Sequence, residues 1–331
     1  MTVPALTRAG REQRQGRRVG WVARRVVAVV PIWWVVASIV FVLVRLVPGD
    51  PVLLIAGTDA SAEQVREIRS SLGLDLPVYD QYVRWFGRLL HGDMGRSLFS
   101  REPVARDLLD RVPVSLQLAL SATVVSVLIA IPAGVVAAAR RNALSEAAFA
   151  AVTMTGVCVP SFVMGLLLML VLSVYAGLFP IRGYEPLSQG VVTWARYMVL
   201  PAVAYGLIQA AGVARMTRST LLEVLGEDFI RTARAKGLAG WVVLYKHALR
   251  NALIPVVTLI GLNVGVLFTG AVVIETLFGL PGLGAFLVTG ILKRDYPIVQ
   301  GAILFISTFL VLVNLAVDLL YRAIDPRLRR A

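Results

Sequence analysis

Residues 252–278 read ALIPVVTLIGLNVGVLFTGAVVIETLF, an apolar stretch in which Glu275 is the single charged side chain. About 20 apolar residues in a helix cross the roughly 30 Å of hydrocarbon in a bilayer. Because hydrocarbon offers no water to the backbone, such a segment must satisfy its own N–H and C=O groups as a helix. The stretch therefore predicts a membrane-spanning helix.

Five further stretches share this length and composition. The first is too long for the apolar part of a cleaved signal peptide and is followed by no small-residue cleavage site, so we interpret it as a retained span. We predict an all-α, polytopic membrane protein with six transmembrane helices, at Val26–Val47, Pro113–Ala139, Ala147–Ala176, Met198–Met216, Ala252–Phe278 and Ile298–Tyr321.

The composition of the 331 residues agrees with a membrane protein. Hydrophobic residues make up 57 % of the chain and charged residues 16 %, against about 25 % charged in soluble proteins. A disordered chain and a secreted soluble protein are excluded, and a single cysteine excludes a disulfide framework. On a soluble chain, the net charge of +13 would suggest a nucleic-acid partner. Its interpretation here depends on where along the chain the charge lies.

The positive charge lies on one side of the predicted spans. Basic residues dominate the N-terminal segment 1–25, the short loop at Arg140–Arg141, the loop 217–251 with its flanks, and the tail 322–331. The loop 48–112 has eight arginines against ten acidic residues. The positive-inside rule then predicts cytoplasmic N- and C-termini. Topology accounts for the charge, so we expect no nucleic-acid partner.

The extracytoplasmic loop 48–112 carries its own helix signals. Ser61 and Gln64 form a capping box before an amphipathic helix that Gly73 ends. A second amphipathic helix is predicted over Tyr79–Leu90, with the aromatic residues Tyr82, Trp85 and Phe86. Two interpretations stay open: a lid packed on the spans, or a docking surface for a partner.

The loop 217–251 is too long for a simple connection and predicts a short helix. Glu227 and Asp228 suit the positive end of the helix dipole, basic residues follow toward its end, and Gly237 stands where a glycine ends a helix. A second helix runs from about Trp241 into the fifth span. Docking in a partner's groove and an arginine-rich helix on the bilayer surface are the two interpretations.

Sequence motifs for chemistry are missing. Gly279–Gly284 lacks the preceding strand and the following Lys-Ser/Thr of a phosphate loop, and we interpret it as an outer turn. We expect no catalytic residue and no metal site. Gly261 and Gly265 permit close helix packing, either within the chain or against a second membrane chain. Arg45, Glu275 and Asp318 lie near span ends, where we expect them to reach the membrane surface.

Two segments of the loop resemble the EAA loop of binding-protein-dependent ABC importer permeases: EDFIRTARAKG at Glu227–Gly237 and HALRNALIP at His247–Pro255. More narrowly, they resemble the first permease of dipeptide, oligopeptide and nickel importers. The departure from the general pattern, Arg231-Thr-Ala233 in place of Glu-Ala-Ala, is itself similar to the peptide branch. Shorter matches lie at Arg45–Pro51, Gly92–Ser97, Arg218–Glu223, Glu275–Gly284, Arg294–Pro297, Asp318–Tyr321 and Asp325–Arg327.

The resemblance implies a five-helix permease core over residues 113–321, preceded by an extra span at 26–47, in a bacterial inner membrane. It implies a second permease chain, two ATP-binding subunits that hold ATP and Mg²⁺, and an extracytoplasmic binding protein as partners. The substrate would be a di- or oligopeptide, with nickel or glutathione as alternatives. From the residues alone, a self-contained secondary transporter stays open. The residues that would couple to the ATPase are Glu227, Asp228, Arg231, Thr232, Ala233, Arg234, Ala235, Lys236 and Gly237.

Overall fold

The computed structural model describes residues 30–31, 33–46, 51–56, 60–139 and 143–324. The predicted basic N-terminal segment, the Arg140–Arg141 pair and the tail from residue 325 lie outside the described residues. The described helices are α1 (Trp33–Leu46), α2 (Pro51–Ala56), α3 (Ala62–Ser71), α4 (Val78–Leu90), α5 (Val104–Ala139), α6 (Ala143–Cys158), α7 (Ser161–Leu168), α8 (Val191–Leu225), α9 (Asp228–Ala235), α10 (Gly240–Val242), α11 (Arg250–Phe278), α12 (Leu283–Lys293) and α13 (Tyr296–Ile324).

Four of these helical segments are long and apolar enough to cross a membrane: Val104–Ala139, Val191–Leu225, Gly240–Leu267 and Tyr296–Val313. Two bent pairs of helices pass the same test together, which gives up to six spans if each pair is one span. The described part of α1 is a shorter apolar helix. The prediction of an all-helical membrane protein is confirmed.

The span predicted at Ala147–Ala176 is not a straight helix. Helix α6 ends at Cys158, and the helical segment that follows is bent by 99° relative to it. Pro160 explains the break, because proline has no N–H to donate and disfavours helical geometry at the preceding residue. It then forms the N-cap of α7, which continues as a π-helical stretch over Met169–Tyr175.

The turn predicted after the fifth span leads into a helix that the sequence analysis missed. Helix α12 follows the turn and lies at 80° to the end of α11. Its 11 residues are too few for a span, so a search for long apolar runs overlooks it.

Glu275 holds this break together, and its predicted position at the membrane surface is wrong. The side chain is 0 % exposed. Its carboxylate accepts hydrogen bonds from Ser115 Oγ at 2.6 Å and from the backbone N–H groups of Gly284 and Ala285 at 2.8 and 3.0 Å. A β-carbon at Gly282 would overlap the carboxylate. Glu275 thus satisfies the free N–H groups at the start of α12.

A second buried carboxylate stabilises the next break. Asp295 lies between α12 and α13 and accepts hydrogen bonds from Ser97 Oγ at 2.6 Å and from the N–H of Leu98 at 3.0 Å. It also accepts a longer bond from the N–H of Ile298, at 3.3 Å, in the first turn of α13. The segment before α5 is therefore fixed to the start of α13.

The two helices predicted in the loop 48–112 are confirmed. Helix α3 begins with the Ser61–Gln64 capping box. Helix α4 runs antiparallel along α1: the Tyr82 hydroxyl lies 2.8 Å from Ser38 Oγ, and the Phe86 ring lies 6.3 Å from that of Trp33. The aromatic residues of α4 thus pack on the apolar helix α1, as the lid interpretation requires.

The longest helices, α5 and α8, pack closely against each other. A β-carbon at Gly206 would lie 2.6 Å from the carbonyl oxygen of Ala122, so only glycine permits this approach. The Tyr205 hydroxyl, on α8, donates to the carbonyl of Leu267 on α11 at 2.8 Å. These contacts place α5, α8 and α11 at the centre of the fold.

Replacing Glu275 tests whether its carboxylate stabilises the break. We expect Glu275→Ala to leave the N–H groups of Gly284 and Ala285 unpaired, at a cost of about 1–3 kcal/mol for each buried group. The thermal unfolding midpoint of the detergent-solubilised protein should fall. Thr276→Ala is the control, since the side chain of the exposed Thr276 bonds only the backbone of its own helix. Equal midpoints for the two variants would contradict this role.

Candidate functional site

The loop predicted to contact a partner contains α9, which begins and ends as expected. Glu227 is the N-cap residue and Asp228 lies in the first turn. Lys236 is the C-cap, and Gly237 follows with a φ of 76°. This left-handed conformation strains residues that carry a β-carbon. The helix is therefore short, with a fixed direction at both ends.

One face of α9 packs against its own chain. Ile230 and Ala233 are buried in a cluster to which α5, α8 and the start of the α10–α11 segment also contribute, with members Val135, Ala138, Leu221, Val243, Ala248 and Ala252. Ala233 is only 7 % exposed. The chain itself covers this side chain, so the part of α9 left for direct contact with a partner subunit is its opposite face.

The segment after α9 is shaped to complete this cluster. Residues 243–249 form a π-helical stretch between α10 and α11. Val243 and Ala248 are five residues apart and both buried in the cluster, a spacing that shares one face in a π-helix. The segment that supports α9 thus continues directly into the long helix α11.

The opposite face of α9 is exposed and mostly polar. Asp228, Thr232 and Ala235 follow one another at helical spacing on this face, and Arg231 pairs with Asp228 at 3.2 Å. Such an exposed ion pair contributes little stability. The other exposed residues that the sequence analysis singled out are Glu227, Arg234, Lys236 and Gly237. Ala235, with its short side chain, permits a close approach at the C-terminal end of this face.

Four exposed apolar residues around α9 were missed by the sequence analysis. Phe229 lies in the first turn of α9 and Leu238 follows the helix; they are 44 % and 40 % exposed, and Trp241 is 70 % exposed. Tyr245 follows on the π-helical stretch and is also exposed. These large apolar side chains stand in a loop that is otherwise rich in charge, and that contrast in the sequence could have identified them.

An ion pair and a cavity lie at the same end of the bundle. Arg218 of α8 pairs with Glu146 of α6, and its guanidinium lies 5.7 Å from the Phe149 ring centre. A cavity of about 370 Å³ opens beside α9, with Arg234 and Leu244 among its walls. The end of the bundle that carries α9 therefore combines charge, exposed apolar surface and a recess.

Two remaining predictions concern packing and metals. Gly265 is buried in α11 and Gly261 half-buried. Within the part of the chain that the structure describes, no three His, Cys, Asp or Glu side chains are grouped so that they could hold a metal ion.

Comparison with known families gives two matches that together cover most of the chain. Residues 130–330 match the family described as binding-protein-dependent transport system inner membrane component. Residues 19–119 match the N-terminal family of the same membrane components. The first match includes α9 and the segment that supports it.

Individual relatives are similar over nearly their whole length. A candidate peptide transport system permease protein of Brucella abortus (strain 2308) is 44 % identical, over 93 % of this chain and 98 % of the relative. The dipeptide transport system permease protein of Escherichia coli (strain K12) is 40 % identical, with the same coverage. The glutathione transport system permease protein of E. coli O6:H1 is 41 % identical, over 94 % and 99 %.

The two alanines of α9 offer a direct test of its orientation. We expect Ala233→Glu to destabilise the protein by about 3 kcal/mol, because it places an unpaired charge in an apolar cluster. Ala235→Glu adds the same side chain to the exposed face and should leave stability unchanged within about 0.5 kcal/mol. Thermal unfolding in detergent distinguishes them. If Ala235→Glu were the more damaging variant, the assignment of the two faces would be reversed.

Proposed function

We propose that this chain, which belongs to the family of binding-protein-dependent transport system inner membrane components, is a permease subunit of an ATP-driven importer for di- or oligopeptides. The observation that carries the proposal is α9, a rigidly held helix whose outer face is free of contacts with the rest of the described chain. The relatives named for peptide and dipeptide transport support the substrate class.

The importer needs subunits that this chain does not supply. We expect a second, homologous permease chain, two ATP-binding subunits that hold ATP and Mg²⁺, and an extracytoplasmic binding protein. The chain itself then carries no catalytic residue and no cofactor, and its work is to form half of the substrate path. Membership of a binding-protein-dependent family argues against the self-contained secondary transporter left open by the residues.

The outer face of α9 is the proposed contact with an ATP-binding subunit. Asp228, Arg231, Thr232 and Ala235 would enter a groove of that subunit, while Ala233 anchors the helix from below. The bilayer-surface alternative loses support because the apolar residues Ile230 and Ala233 are already buried within the chain. Phe229 and Trp241 add exposed apolar surface that a partner would cover.

Two further assignments belong to the proposal. Gly261 and Gly265 of α11 would permit close helix packing, within the chain or against the second permease. Glutathione is the alternative substrate, supported by the relative named for its transport; it is itself a tripeptide, so both substrates carry free carboxylate and amino groups. Nickel remains an expectation from the resemblance alone.

Ala235→Glu tests the proposed contact, since it should not disturb the fold. We expect the larger, charged side chain to prevent close docking. ATP-binding subunits should then fail to co-purify, and ATP-dependent uptake of a labelled dipeptide into proteoliposomes should fall at least about tenfold, which corresponds to about 1.4 kcal/mol of lost docking energy. Insertion of the chain should be normal.

The matched control is Ala62→Glu, an exposed alanine on α3 at the other end of the molecule. It introduces the same charge and should retain ATPase association and uptake. Full association and uptake with Ala235→Glu would refute the docking role of α9 and leave it as a surface helix.

The orientation of the chain is a separate part of the proposal, based on the charge asymmetry. We expect α9 and both termini in the cytoplasm and the loop 48–112 outside. A cysteine introduced at Ala60 should react with an impermeant thiol reagent added to intact cells, and one at Ala235 should not. Cys158, the natural cysteine, is first replaced by serine. The opposite labelling pattern would reverse the orientation.

A further inference from the structure

A cavity of about 930 Å³ lies at the end of the bundle opposite α9. Its walls come from the end of α1, the exposed side of α4, the loops at 70–76 and 93–101, and the first turn of α13. The central helices α5, α8 and α11 contribute none of its described lining residues. The cavity therefore lies to the side of the core that would form the substrate path.

Arginine dominates the chemistry of this cavity. Five arginines line it, against two aspartates, Asp75 and Asp93. The Asp93 carboxylate is partly used, since it accepts a hydrogen bond from the N–H of Gly95 at 2.8 Å. The arginines are Arg45, Arg84, Arg88, Arg96 and Arg101. Within the described residues, none of the five forms an ion pair, so the cavity has a positive charge to be neutralised.

Some of these arginines are held in place. The Arg45 guanidinium lies 3.4 Å from the centre of the Phe41 ring and donates to the Phe41 carbonyl and to Gln81 Oε1, at 2.9 and 2.8 Å. Arg96 donates to the carbonyl of Arg101 at 3.2 Å. Two donors of Arg45 are thus used, and a guanidinium has five. The remaining donors are positioned in advance for an anion.

The orientation of the chain in the membrane does not explain why arginines are concentrated in this cavity. The positive-inside rule explains basic residues at the end that carries α9, where they hold the chain in the cytoplasm. The loop 48–112 has more acidic than basic residues, yet four of its eight arginines face one cavity. An anionic ligand would account for this concentration.

The position of the cavity indicates which class of anion it would bind. Arg45 lies in the last described turn of α1, and Tyr296 and Gln300 lie at the start of α13, which is apolar enough to cross a membrane. Both sites are ends of apolar helices, where a helix that crosses the bilayer would reach the headgroup layer. Trp85 and Tyr296 among the lining residues are types enriched at this depth. Guanidinium groups bind phosphate through paired hydrogen bonds.

We propose that this cavity binds the headgroup of an anionic phospholipid of the outer leaflet, with the arginines surrounding its phosphate. The volume is within the range of small-ligand pockets, which suits a headgroup while the acyl chains remain in the bilayer. The bound lipid would tie α4 and the loop at 93–101 to the ends of α1 and α13. The site does not depend on the transported substrate.

The test is lipid binding by Arg84→Gln/Arg88→Gln, which removes two exposed charges of α4 and keeps their polarity. The protein is extracted in mild detergent, in whatever assembly it is obtained, and phosphatidylglycerol is titrated under native mass spectrometry. We expect its affinity to fall roughly 30-fold relative to wild type, from the typical contribution of two arginines near an anionic surface. Phosphatidylethanolamine should bind weakly to both proteins.

The matched control is Arg66→Gln/Arg106→Gln, which removes two exposed arginines of the same loop that do not line the cavity. It should bind phosphatidylglycerol as wild type does, and both variants should unfold at the wild-type temperature. Equal affinity for wild type and both variants would overturn the proposal.

Two other outcomes would assign a different ligand to the cavity. If inorganic phosphate displaced phosphatidylglycerol at equal concentration, free phosphate would be the ligand. If Arg84→Gln/Arg88→Gln kept its lipid affinity but lost binding of an extracytoplasmic protein, the cavity would be a protein-docking site. Loss of lipid affinity with unchanged dipeptide uptake would still support the proposal, which separates it from the proposed transport function.

Discussion

A helix that breaks inside a membrane protein exposes backbone N–H groups that hydrocarbon cannot satisfy, and the fold of this chain depends on how it meets that constraint. Glu275 turns back from the end of α11 and accepts two N–H groups from the start of α12, while Ser115 of α5 donates to the same carboxylate and accepts from Leu283. One side chain therefore fixes three helices. At the next break the Asp295 carboxylate likewise accepts backbone N–H groups, and it connects α13 to the segment before α5.

These two carboxylates lie at one end of the bundle and α9 lies at the other. Helix α11 connects the two ends. It is continuous over 29 residues from Arg250 to Phe278, about 43 Å at the rise of an α-helix. Its first residues continue the π-helical stretch that packs under α9. A displacement of α9 by a partner would thus act on a stiff element whose far end is fixed by buried hydrogen bonds. The sequence around the break at Pro160, GVCVPSFVMG, contains no acidic residue, and proline itself removes one of the N–H groups that would need a partner.

The sequence was sufficient for features that depend on local chemistry. Apolar runs predicted the helical membrane fold, the Ser61–Gln64 pair predicted the start of α3, and Gly237 predicted the turn that ends α9. The sequence was insufficient for features that depend on the direction of a helix or of a side chain. Hydropathy does not distinguish a straight span from two helices bent at Pro160, and α12 is too short to stand out. Ala233 and Ala235 look equivalent in the sequence; the spacing of Ile230 and Ala233 hints at a buried face, but only the fold decides that the chain itself covers it.

Charged residues in this protein can be sorted by what surrounds them. The basic residues near α9 lie in the part of the chain whose charge would set the proposed orientation, and most of them are exposed. Glu275 and Asp295 are buried with every contact supplied by the chain, which makes them structural, although their location in a membrane protein would suggest an ion path. The cavity arginines fit neither group, since most of them lie in a loop whose charge is nearly balanced, and the described lining of the cavity contains two carboxylates. A cluster of like charges raises the free energy of the empty cavity, and a bound anion would lower it.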